Sequence, residues 1–328
     1  MRIFVTGVTG FIGSALAREL IRRGHDVVGL ARDPARAAPG LRLVQGDLAR
    51  SDGLAAAAAE IASAEAVAHL AAVRKDWGLS EAALRRVNVE SGAELARLAG
   101  NARRFLLVSS VAVYGHPKGG TAREEAPFAP SKRYGVSKVE AEQAVALACA
   151  ASGLALTIAR PGITYGPGDT YGMVANLARL LARRRFLLVG SGRSQVNLLY
   201  IYDLARGLAD ALLKDEAAGE DFIFTGPDAV AVADLAAALA GAVGSYVPRL
   251  RVPEWAARLV AYLLESTYAG AGLRGEPFLT KAKVDLFTRG DAFDTAKAHN
   301  LLGWEARIGL AEGVVPTVRW LTEAGELG

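Results

Sequence analysis

The sequence has very little of the chemistry that proteins use for covalent cross-links or metal binding. Cys149 is the only cysteine among 328 residues, and there are four histidines. A single cysteine excludes an internal disulfide framework, and the few Cys and His residues form no cluster at metal-ligand spacing. We therefore expect a protein without a metal site that suits a reducing compartment, and we predict a cytoplasmic location.

Long apolar runs and a strong charge bias are also absent. Stretches such as LRLVQ are short and interrupted, well below the length of about 20 residues that a membrane-spanning helix needs. The chain begins with strand-like RIFVTG rather than with a secretory signal. The net charge of +4 is mild and favours solubility, and the arginines of ARLLARRRF lack the interleaved aromatic residues of a nucleic-acid site. We expect neither a transmembrane segment nor a nucleic-acid partner.

What is present is an alternation of apolar strands and helices. Hydrophobic residues make up 52% of the chain, and the strand-like segments are RIFVTG, HDVVGLA, LRLVQGD, AVAHLAA and RFLLVSS. Strands that are apolar throughout and joined by helices favour a parallel sheet covered on both faces. The pattern predicts an α/β fold with a doubly wound parallel sheet. After Pro161 the alternation weakens and turns rich in Gly and Pro follow, which indicates a smaller substrate domain.

The first turn from strand to helix carries three glycines. Gly7, Gly10 and Gly13 come directly after the first strand and at the start of the helical pattern. Glycines there suit a tight turn, a close approach of the backbone to a pyrophosphate, and close packing of the helix on the strand. The helix N-terminus offers free N–H groups to the phosphates. This context predicts a dinucleotide-binding loop.

A serine pair and a tyrosine–lysine pair follow the strand RFLLVSS. Ser109 and Ser110 end that strand, at the carboxyl edge of the sheet where such folds bind ligands. Tyr134 and Lys138 are four residues apart on a predicted helix, so they share one face. A nearby ammonium favours the phenolate, and we expect Lys138 to lower the pKa of Tyr134 toward the range of efficient proton transfer. The ordinary alternative for a lone pair is a half-buried tyrosine beside a snorkelling surface lysine.

These features occur with further motifs, and together they resemble the extended branch of the short-chain dehydrogenase/reductase superfamily. The motifs, in chain order, are GDL at 46–48, HLAA at 69–72, VNVESG at 87–92, VSSVAVYG at 108–115, YGVSK at 134–138 and ARPGITYGPGD at 159–169. The resemblance implies a Rossmann dinucleotide-binding domain of residues 1–165, to which 198–226 returns through NLLYIYDLARGLADAL. It implies a substrate domain of residues 166–197 and 227–328, and a homodimer.

The resemblance also assigns roles to residues. In that family the tyrosine exchanges a proton with the substrate hydroxyl or carbonyl, the lysine also holds the nicotinamide ribose, and the serine positions the substrate oxygen. The catalytic residues so implied are Ser110, Tyr134 and Lys138, with Ser110 preferred to Ser109 by its spacing from VYG at 113–115. The residues expected to contact the cofactor are Thr6, Gly7, Thr9, Gly10, Phe11, Ile12, Gly13, Arg32, Asp47, Leu48, Leu70, Ala71, Ala72, Asn88, Ser109, Tyr134, Lys138, Pro161, Gly162 and Ile163.

An alternative from another class is a regulatory protein that binds NADP without reacting. Such relatives commonly lack the tyrosine and the lysine, whereas this chain has both, so we expect an enzyme. The end of the second strand indicates which dinucleotide it uses. Ala31 stands where a carboxylate would repel a 2′-phosphate, and the guanidinium of Arg32 suits that phosphate. We expect NADP in preference to NAD; the alternative is an arginine that stacks on adenine, and Asp33 beside it weakens the phosphate interpretation.

The substrate is predicted from less specific motifs. Nucleotide-sugar epimerases and dehydratases often carry a diphosphate-binding arginine in the segment equivalent to SQVNLLYIYD, where this chain has none. Arg193 or Arg274 could compensate. The segments RVPEWAARLVAYLLE, PFLTKAKVDLF and FDTAKAHNLLGWEARIGLAEGVVPTVRWL are similar to 3β-hydroxysteroid dehydrogenases and sterol-4α-carboxylate dehydrogenases. This likeness implies a lipophilic secondary alcohol or ketone, such as a 3β-hydroxysteroid or sterol, and a nucleotide-sugar epimerase, dehydratase or reductase is the alternative.

A predicted helix near residue 260 carries an apolar stripe. Trp255, Leu259 and Leu263 recur at helical spacing, and Tyr262 flanks them. Such a stripe usually packs in a core. The alternatives are a lipophilic lid or a peripheral membrane face through which an apolar substrate enters.

Overall fold

A computed structural model of the chain describes residues 1–33, 41–74, 79–116, 121–271, 273 and 277–327. Its β-strands, in chain order, are β1 Arg2–Thr6, β2 Asp26–Ala31, β3 Arg42–Gln45, β4 Ala66–His69, β5 Arg104–Val108, β6 Thr121–Ala122, β7 Ala155–Pro161, β8 Ile163–Tyr165, β9 Leu188–Val189, β10 Gln195–Tyr200, β11 Asp221–Phe224, β12 Ala229–Ala231, β13 Arg251–Val252 and β14 Ala292–Phe293.

The α-helices lie between and after these strands. They are α1 Phe11–Arg22, α2 Ala58–Ala62, α3 Glu81–Arg85, α4 Ser91–Leu98, α5 Arg133–Ser152, α6 Met173–Ala182, α7 Ile201–Leu213, α8 Val232–Ala242, α9 Glu254–Gly270, α10 Lys281–Thr288, α11 Ala296–Leu302 and α12 Leu310–Glu323. The helix predicted from Glu81 to Leu98 is helical throughout, but Arg86–Glu90 forms a π-helical turn between α3 and α4.

The predicted doubly wound parallel sheet is confirmed. Seven strands pair in the order β11-β7-β5-β4-β1-β2-β3, and every pairing between neighbours is parallel. The strand order reverses between β1 and β4, where Thr6 pairs with His69. Ligands of such sheets bind outside the carboxyl ends of the strands at this switch point. The fold therefore fixes the site at the ends of β1 and β4.

Both faces of the main sheet are covered by helices. Ile3 and Val5 of β1 pack on the side of α1 and α7, whereas Phe4 between them packs on the side of α4 and α5. This alternation follows from the two-residue period of a strand, and it explains why β1 has to be apolar throughout.

A second, smaller unit stands beside the main sheet. Strands β8, β10 and β12 form a three-stranded sheet, which shares a core with α6, α8 and α12. The segment NLLYIYDLARGLADAL was expected to supply both the returning strand and the returning helix. Helix α7 does pack on α1 and the main sheet, but the expectation for the strand is wrong. Strand β10 pairs with β8 and β12, and β11 is the strand that joins β7.

The apolar stripe of helix α9 does not pack in a core, contrary to the usual interpretation of such a stripe. Trp255, Leu259, Tyr262 and Leu263 are 71%, 52%, 52% and 55% exposed, while the small residues of the helix face the protein. The helical spacing of the stripe is as predicted. Its large side chains nevertheless point outward, because α9 packs mainly on α10. Within the described ranges, no helix is both long and apolar enough to cross a bilayer.

Candidate active site

The glycine loop between β1 and α1 has the geometry that phosphate binding requires. Gly7 has φ 71°, and a Cβ there would lie 2.7 Å from the backbone nitrogen of Ala71. A Cβ on Gly13 would lie 2.1 Å from the Gly7 carbonyl oxygen, so the helix start packs directly on the loop. No side chain caps α1 at Gly10. The unpaired N–H groups of its first turn are therefore free for an anion.

A cleft of about 890 Å³ opens along the glycine loop and the carboxyl edge of the sheet. Most of the residues predicted to bind substrate or cofactor line its wall. They are Gly7, Thr9, Gly10, Phe11, Ile12, Gly13, Arg32, Leu70, Ala72, Ser109, Ser110, Tyr134, Lys138, Pro161, Gly162 and Ile163. The cleft therefore joins a dinucleotide-binding loop to the proton-transfer group predicted from the sequence.

Other predicted residues lie behind the wall. Thr6 is buried, and its hydroxyl lies 2.8 Å from Nδ1 of His69. Leu48 packs in the core, and Asp47 accepts a hydrogen bond from the Ala49 N–H. The Ala71 backbone lies beneath Gly7.

Asn88 has a structural contact instead of a place on the wall. Its side-chain oxygen accepts from the Val73 N–H at 2.7 Å, and its nitrogen donates to the Ser137 hydroxyl at 3.0 Å. It joins the segment after β4 to helix α5, and so supports the wall from behind.

The three predicted catalytic side chains converge where β5 ends and α5 begins. The Ser110 hydroxyl accepts a hydrogen bond from the Ala112 N–H at 3.2 Å, and Ser110 lies close enough to Tyr134 to lower the pKa of its phenol. Lys138 is 3% exposed, and its ammonium donates to the Val108 carbonyl at 2.8 Å. Its Nζ lies 5.9 Å from the centre of the Tyr134 ring. The turn of helix thus places phenol, ammonium and hydroxyl on one stretch of wall.

The expected lowering of the Tyr134 pKa is not found, because the net shift is upward and Lys138 is not among the groups that set it. Burial raises the pKa of Tyr134 above its ordinary value, and the groups that oppose this rise are Arg74 and then Ser110. Lys138 directs its ammonium to the Val108 carbonyl, and burial lowers the pKa of Lys138 itself to about 8. Tyr134 is consequently a protonated phenol at neutral pH. In this state the phenol carries the proton that a substrate oxygen would take.

Helix α5 is fastened to the sheet by a buried ion network. Arg160 of β7 donates to both oxygens of Glu142 at 3.0 and 2.8 Å, and to Asp221 at 2.5 Å. It also donates to the Tyr114 hydroxyl at 2.6 Å. A bidentate guanidinium–carboxylate pair is geometrically specific, so α5 is held in register with β7 and presents Tyr134 and Lys138 at a fixed height.

Several buried polar atoms beside the cleft have no hydrogen-bond partner among the described residues. They include the Ser109 hydroxyl and the Asn197 side-chain oxygen, both on the wall. Nε2 of His69, just behind it, also has none, and burial followed by the charge of Lys138 lowers the pKa of His69 to about 3. Unpaired buried polar groups are costly, so their presence here fits a site that is completed by a polar ligand.

The wall also carries charged residues that the sequence analysis did not predict. They are Arg74, His116, Lys132, Asp169, Arg289 and Asp291. The position of Arg74 just after β4, and that of His116 just after VYG, could have indicated them by the rule that ligands bind at strand ends. Arg289 and Asp291, near the C-terminus, follow no strand of the predicted sheet, so no pattern in the sequence indicated that they line the cleft. Arg193, which was expected to compensate for a missing phosphate-binding arginine, is exposed and lies off this wall, and Arg274 lies outside the described residues.

The wall fits a nicotinamide dinucleotide along its length. The glycine loop would hold the pyrophosphate, Lys138 and Tyr134 the nicotinamide end, and Arg32 the adenosine end. Such a cofactor supplies or accepts a hydride when bound. The side chains of the wall supply the other groups that a hydride transfer to a carbonyl requires. These are a proton at the Tyr134 oxygen, a hydrogen bond from Ser110, and positive charge from Arg74.

A comparison with known families agrees with this geometry. The model of the NAD dependent epimerase/dehydratase family matches residues 3–224, which include the glycine loop, Ser110, Tyr134 and Lys138. The match ends with β11, the last strand of the main sheet.

Curated relatives have several activities. The chain is 30% identical to a 2-alkyl-3-oxoalkanoate reductase of Stenotrophomonas maltophilia (strain K279a), covering 96% of this chain and 97% of the relative. It is 28% identical to a UDP-glucose 4-epimerase of Vibrio cholerae, covering 98% and 96%. A 3beta-hydroxysteroid-dehydrogenase/decarboxylase isoform 2 of Arabidopsis thaliana is 26% identical, but the match covers 61% of this chain and 37% of the relative.

Solved structures share the whole fold. The crystal structure of gox2253 superposes with a TM-score of 0.81 at 26% identity, covering 99% of both chains. MoeE5 in complex with UDP-glucose and NAD superposes with a TM-score of 0.76 at 24% identity, again covering 99% of both.

Proposed function

The chain belongs to the NAD dependent epimerase/dehydratase family, whose members use a nicotinamide dinucleotide, and we propose that it is a reductase of lipophilic ketones that carry a carboxylate. The observation that carries the proposal is the cleft itself, in which Tyr134 and Ser110 share a wall with the cations Arg74 and Arg289. The similarity to a 2-alkyl-3-oxoalkanoate reductase along nearly the whole chain supports it.

The proposed reaction reduces a 3-oxo acid to a 3-hydroxy acid. A reduced nicotinamide bound here would supply a hydride to the carbonyl carbon; as the C=O π bond breaks, the oxygen takes the proton of the Tyr134 hydroxyl. Ser110 holds the substrate oxygen, and Arg74 and Ser110 stabilise the phenolate left behind, since these groups oppose the rise in the pKa of Tyr134. The hydride donor would be the oxidised partner of this reduction, and the tyrosine regains its proton from solvent.

The charge of the wall favours a carboxylate over an uncharged sterol. Arg74, Lys132 and Arg289 line the cleft, together with the carboxylates of Asp169, which Arg74 influences, and Asp291, which Arg289 influences. Apolar side chains such as Met173, Val196 and Phe293 line it as well. A substrate with a carboxylate and alkyl chains would contact both the cationic and the apolar side chains of the wall, whereas a steroid would contact only the apolar ones.

A nucleotide-sugar epimerase is the second candidate. The similarity to UDP-glucose 4-epimerase spans nearly the whole chain, and Arg289 on the wall offers a cation for a diphosphate. Strand β10 gives the wall Gln195, Val196 and Asn197 in place of an arginine. A diphosphate desolvated against so few cations would bind at a cost of several kcal/mol, which is why we favour the reductase.

A substrate panel separates these functions. The purified protein is incubated with NADPH or NADH and a 2-alkyl-3-oxoalkanoate, a 3-oxosteroid, UDP-glucose or UDP-galactose, and cofactor absorbance and products are followed. We expect NADPH oxidation with the oxo acid alone. Interconversion of the two UDP-sugars without net cofactor turnover, and no response to the oxo acid, would establish the epimerase instead.

Three further properties are part of the proposal. NADP is the preferred dinucleotide because Arg32 lies on the wall beside Ala31. The exposed stripe of α9 contacts an anionic membrane or micelle surface from which lipophilic substrate enters, and Lys281, whose ammonium lies 4.5 Å from the Tyr262 ring centre, supplies positive charge there. The chain forms a homodimer through helices, which sedimentation velocity over a range of protein concentrations tests directly.

A further inference from the structure

A cluster of arginines lies on the smaller unit of the fold, off the wall of the cleft. One part of it follows helix α6, and the other part lies in and just before strand β13. We call the four exposed side chains the basic face; they are Arg184, Arg185, Arg249 and Arg251. The segments that carry them, residues 170–202 and 235–253, contain no Asp or Glu. The net charge of the whole chain is +4, so the basic face concentrates as much positive charge as that entire excess.

Tertiary contacts bring the two segments of the basic face together. The Ser245 hydroxyl donates to the Leu181 carbonyl at 2.8 Å, which holds the second segment against the end of α6. The guanidinium of Arg184 lies 5.9 Å from the centre of the Tyr246 ring. Further along both segments, strand β13 pairs in parallel with β9. The arginines that follow α6 and those that precede α9 are therefore neighbours.

The charges of the basic face are not neutralised within the described part of the chain. No carboxylate there pairs with any of its four guanidinium groups. Two carboxylates of the same unit, Glu254 and Glu326, are instead bound by Arg258 and Arg179. Like charges held close together repel one another, so a partner that brings negative charge would relieve this repulsion.

Apolar side chains are exposed among these arginines. Leu187 and Leu250 are 45% and 69% exposed, and Tyr246 is 61% exposed. A surface that mixes arginines with apolar side chains suits the interface of an anionic bilayer, where guanidinium groups meet lipid phosphates and apolar groups enter the headgroup boundary. A nucleic acid would match the charge, but its bases stack on aromatic side chains and would leave the leucines in water. The composition therefore favours a lipid surface.

The basic face adjoins the exposed stripe of α9. Arg251 comes four residues before Trp255, so their Cα atoms are at most about 14 Å apart. The stripe would bury apolar area in any bilayer, whereas the arginines distinguish an anionic bilayer from a zwitterionic one. The two surfaces thus offer different parts of the same interaction.

We propose that the basic face binds the phosphate-bearing headgroups of an anionic phospholipid bilayer, and that it sets the main requirement for negative lipid charge. The inference rests on the proposed membrane contact of α9, to which it adds the residues that recognise lipid charge. Arg251 also donates to the Ser191 carbonyl at 2.9 Å, so it stabilises the surface as well. Arg185 and Arg249 have no such second role, because neither side chain bonds a described residue.

Removal of these two charges tests the proposal. Arg185→Gln with Arg249→Gln keeps polar side chains at both positions and breaks no bond to a described residue. Each basic side chain beside an anionic leaflet contributes roughly 5-fold to binding. We therefore expect the double variant to bind phosphatidylglycerol vesicles roughly 10-fold to 30-fold more weakly than the wild type in co-sedimentation at low ionic strength. The difference should shrink as salt is added, and binding to phosphatidylcholine vesicles should be the same for both proteins.

Arg97→Gln with Arg319→Gln is the matched control. Both residues are exposed, on α4 and α12, and the variant lowers the net charge by the same amount. It should bind phosphatidylglycerol vesicles as the wild type does. Equal losses in the two double variants would show that net charge alone matters and would overturn the inference. An Arg185→Gln, Arg249→Gln variant that binds as tightly as the wild type would overturn it as well.

Two other results would refute the basic face as a lipid site. One is wild-type protein that binds phosphatidylglycerol and phosphatidylcholine vesicles equally, which would leave the contact of α9 intact. The other is a labelled single-stranded oligonucleotide that binds the wild type but not the Arg185→Gln, Arg249→Gln variant, without any vesicle binding by either protein.

The vesicle test is independent of the proposed reaction. Arg185 and Arg249 lie off the cleft wall, so the double variant should reduce a short, water-soluble oxo acid with the wild-type kcat/KM. If neither protein reduces any oxo acid, the proposed reductase function fails, and the comparison of vesicle binding still decides whether the basic face recognises lipid charge.

Discussion

Tyr134 is the residue on which the proposed chemistry depends most directly. Tyr134 is partly buried and lines the cleft with Ser110, and burial raises the pKa of its hydroxyl, so the phenol carries its proton at neutral pH. Tyr134→Phe removes that proton and keeps the ring. We expect kcat to fall on the order of 100-fold to 10,000-fold, while the Kd of NADPH from a fluorescence titration changes little.

Tyr202→Phe is a control for this substitution. Tyr202 is half exposed and lies off the cleft wall, so its loss of a hydroxyl should leave kcat unchanged. A Tyr134→Phe enzyme with the wild-type kcat on the true substrate would show that the proton comes from elsewhere.

The residues at the end of β2 determine which dinucleotide binds. Ala31 is buried and Arg32 is exposed on the wall. Ala31→Asp with Arg32→Ala replaces a partner for the 2′-phosphate by a charge that repels it. We expect the wild type to bind NADPH more tightly than NADH and the double variant to reverse the order, each by on the order of 10-fold, from charge-assisted bonds gained or lost. Calorimetric titration measures both affinities.

Exposed Arg319 on α12 offers a control, since Arg319→Ala removes the same charge away from the cleft. The phosphate interpretation of Arg32 is wrong if the wild type binds the two dinucleotides equally or prefers NADH.

At the scale of elements, α9 has an unusual arrangement of side-chain sizes. Its small residues Ala257 and Ala261 are buried, and its large apolar residues face outward. Exposed apolar clusters of this kind mark interaction surfaces. In a triple variant, Trp255→Ser, Leu259→Ser and Leu263→Ser remove three large apolar side chains that the membrane would bury. Binding to phosphatidylglycerol vesicles should therefore weaken by at least roughly 10-fold. Vesicle co-sedimentation gives the partition coefficient.

Val315→Ser on α12 is the matched control, since Val315 is 52% exposed, as Leu259 is. Wild-type protein that does not sediment with anionic vesicles would exclude the membrane face. A drop in kcat/KM of the triple variant without any vesicle binding would then point to a lid, and a dimer lost only in the triple variant would point to a second copy of the chain.

At the scale of the whole molecule, His69 couples folding stability to pH. Burial lowers the pKa of His69 from 6.5 to about 3 in the folded protein, so between these values the unfolded chain binds a proton that the folded chain does not. The free energy of unfolding is therefore fully retained above pH 6.5 and falls as the pH is lowered through this window. The loss from this one group is roughly 1 kcal/mol per pH unit.

His69→Asn tests this coupling, because an amide still meets the Thr6 hydroxyl but cannot titrate. Urea unfolding at pH 7, 6 and 5 should show a smaller decline for the variant than for the wild type. His299→Asn, at an exposed position, should decline as the wild type does. Identical slopes for His69→Asn and the wild type would mean that His69 titrates normally.

Much of this architecture is local in origin and was therefore readable from the sequence. The parallel, doubly wound sheet follows from strands that are apolar throughout and alternate with helices, and the tight loop before α1 follows from the glycines between β1 and α1. The group of Ser110, Tyr134 and Lys138 follows from positions at a strand end and one helical turn apart. In each case the interacting residues are close in the chain or are placed by the common carboxyl edge of a parallel sheet.

Tertiary structure alone decided the rest. Periodicity located the stripe of α9 but not what faces it, because exposure depends on which helix packs alongside. The direction of the Tyr134 pKa shift depends on burial against charges from other segments, including Arg74. His116 and Asp291 meet only because β14 pairs with β6, across a separation in sequence that no local pattern records. The sequence by itself determined the fold class, the glycine loop and the positions of Ser110, Tyr134 and Lys138, whereas packing between distant segments determined which charged side chains line the cleft.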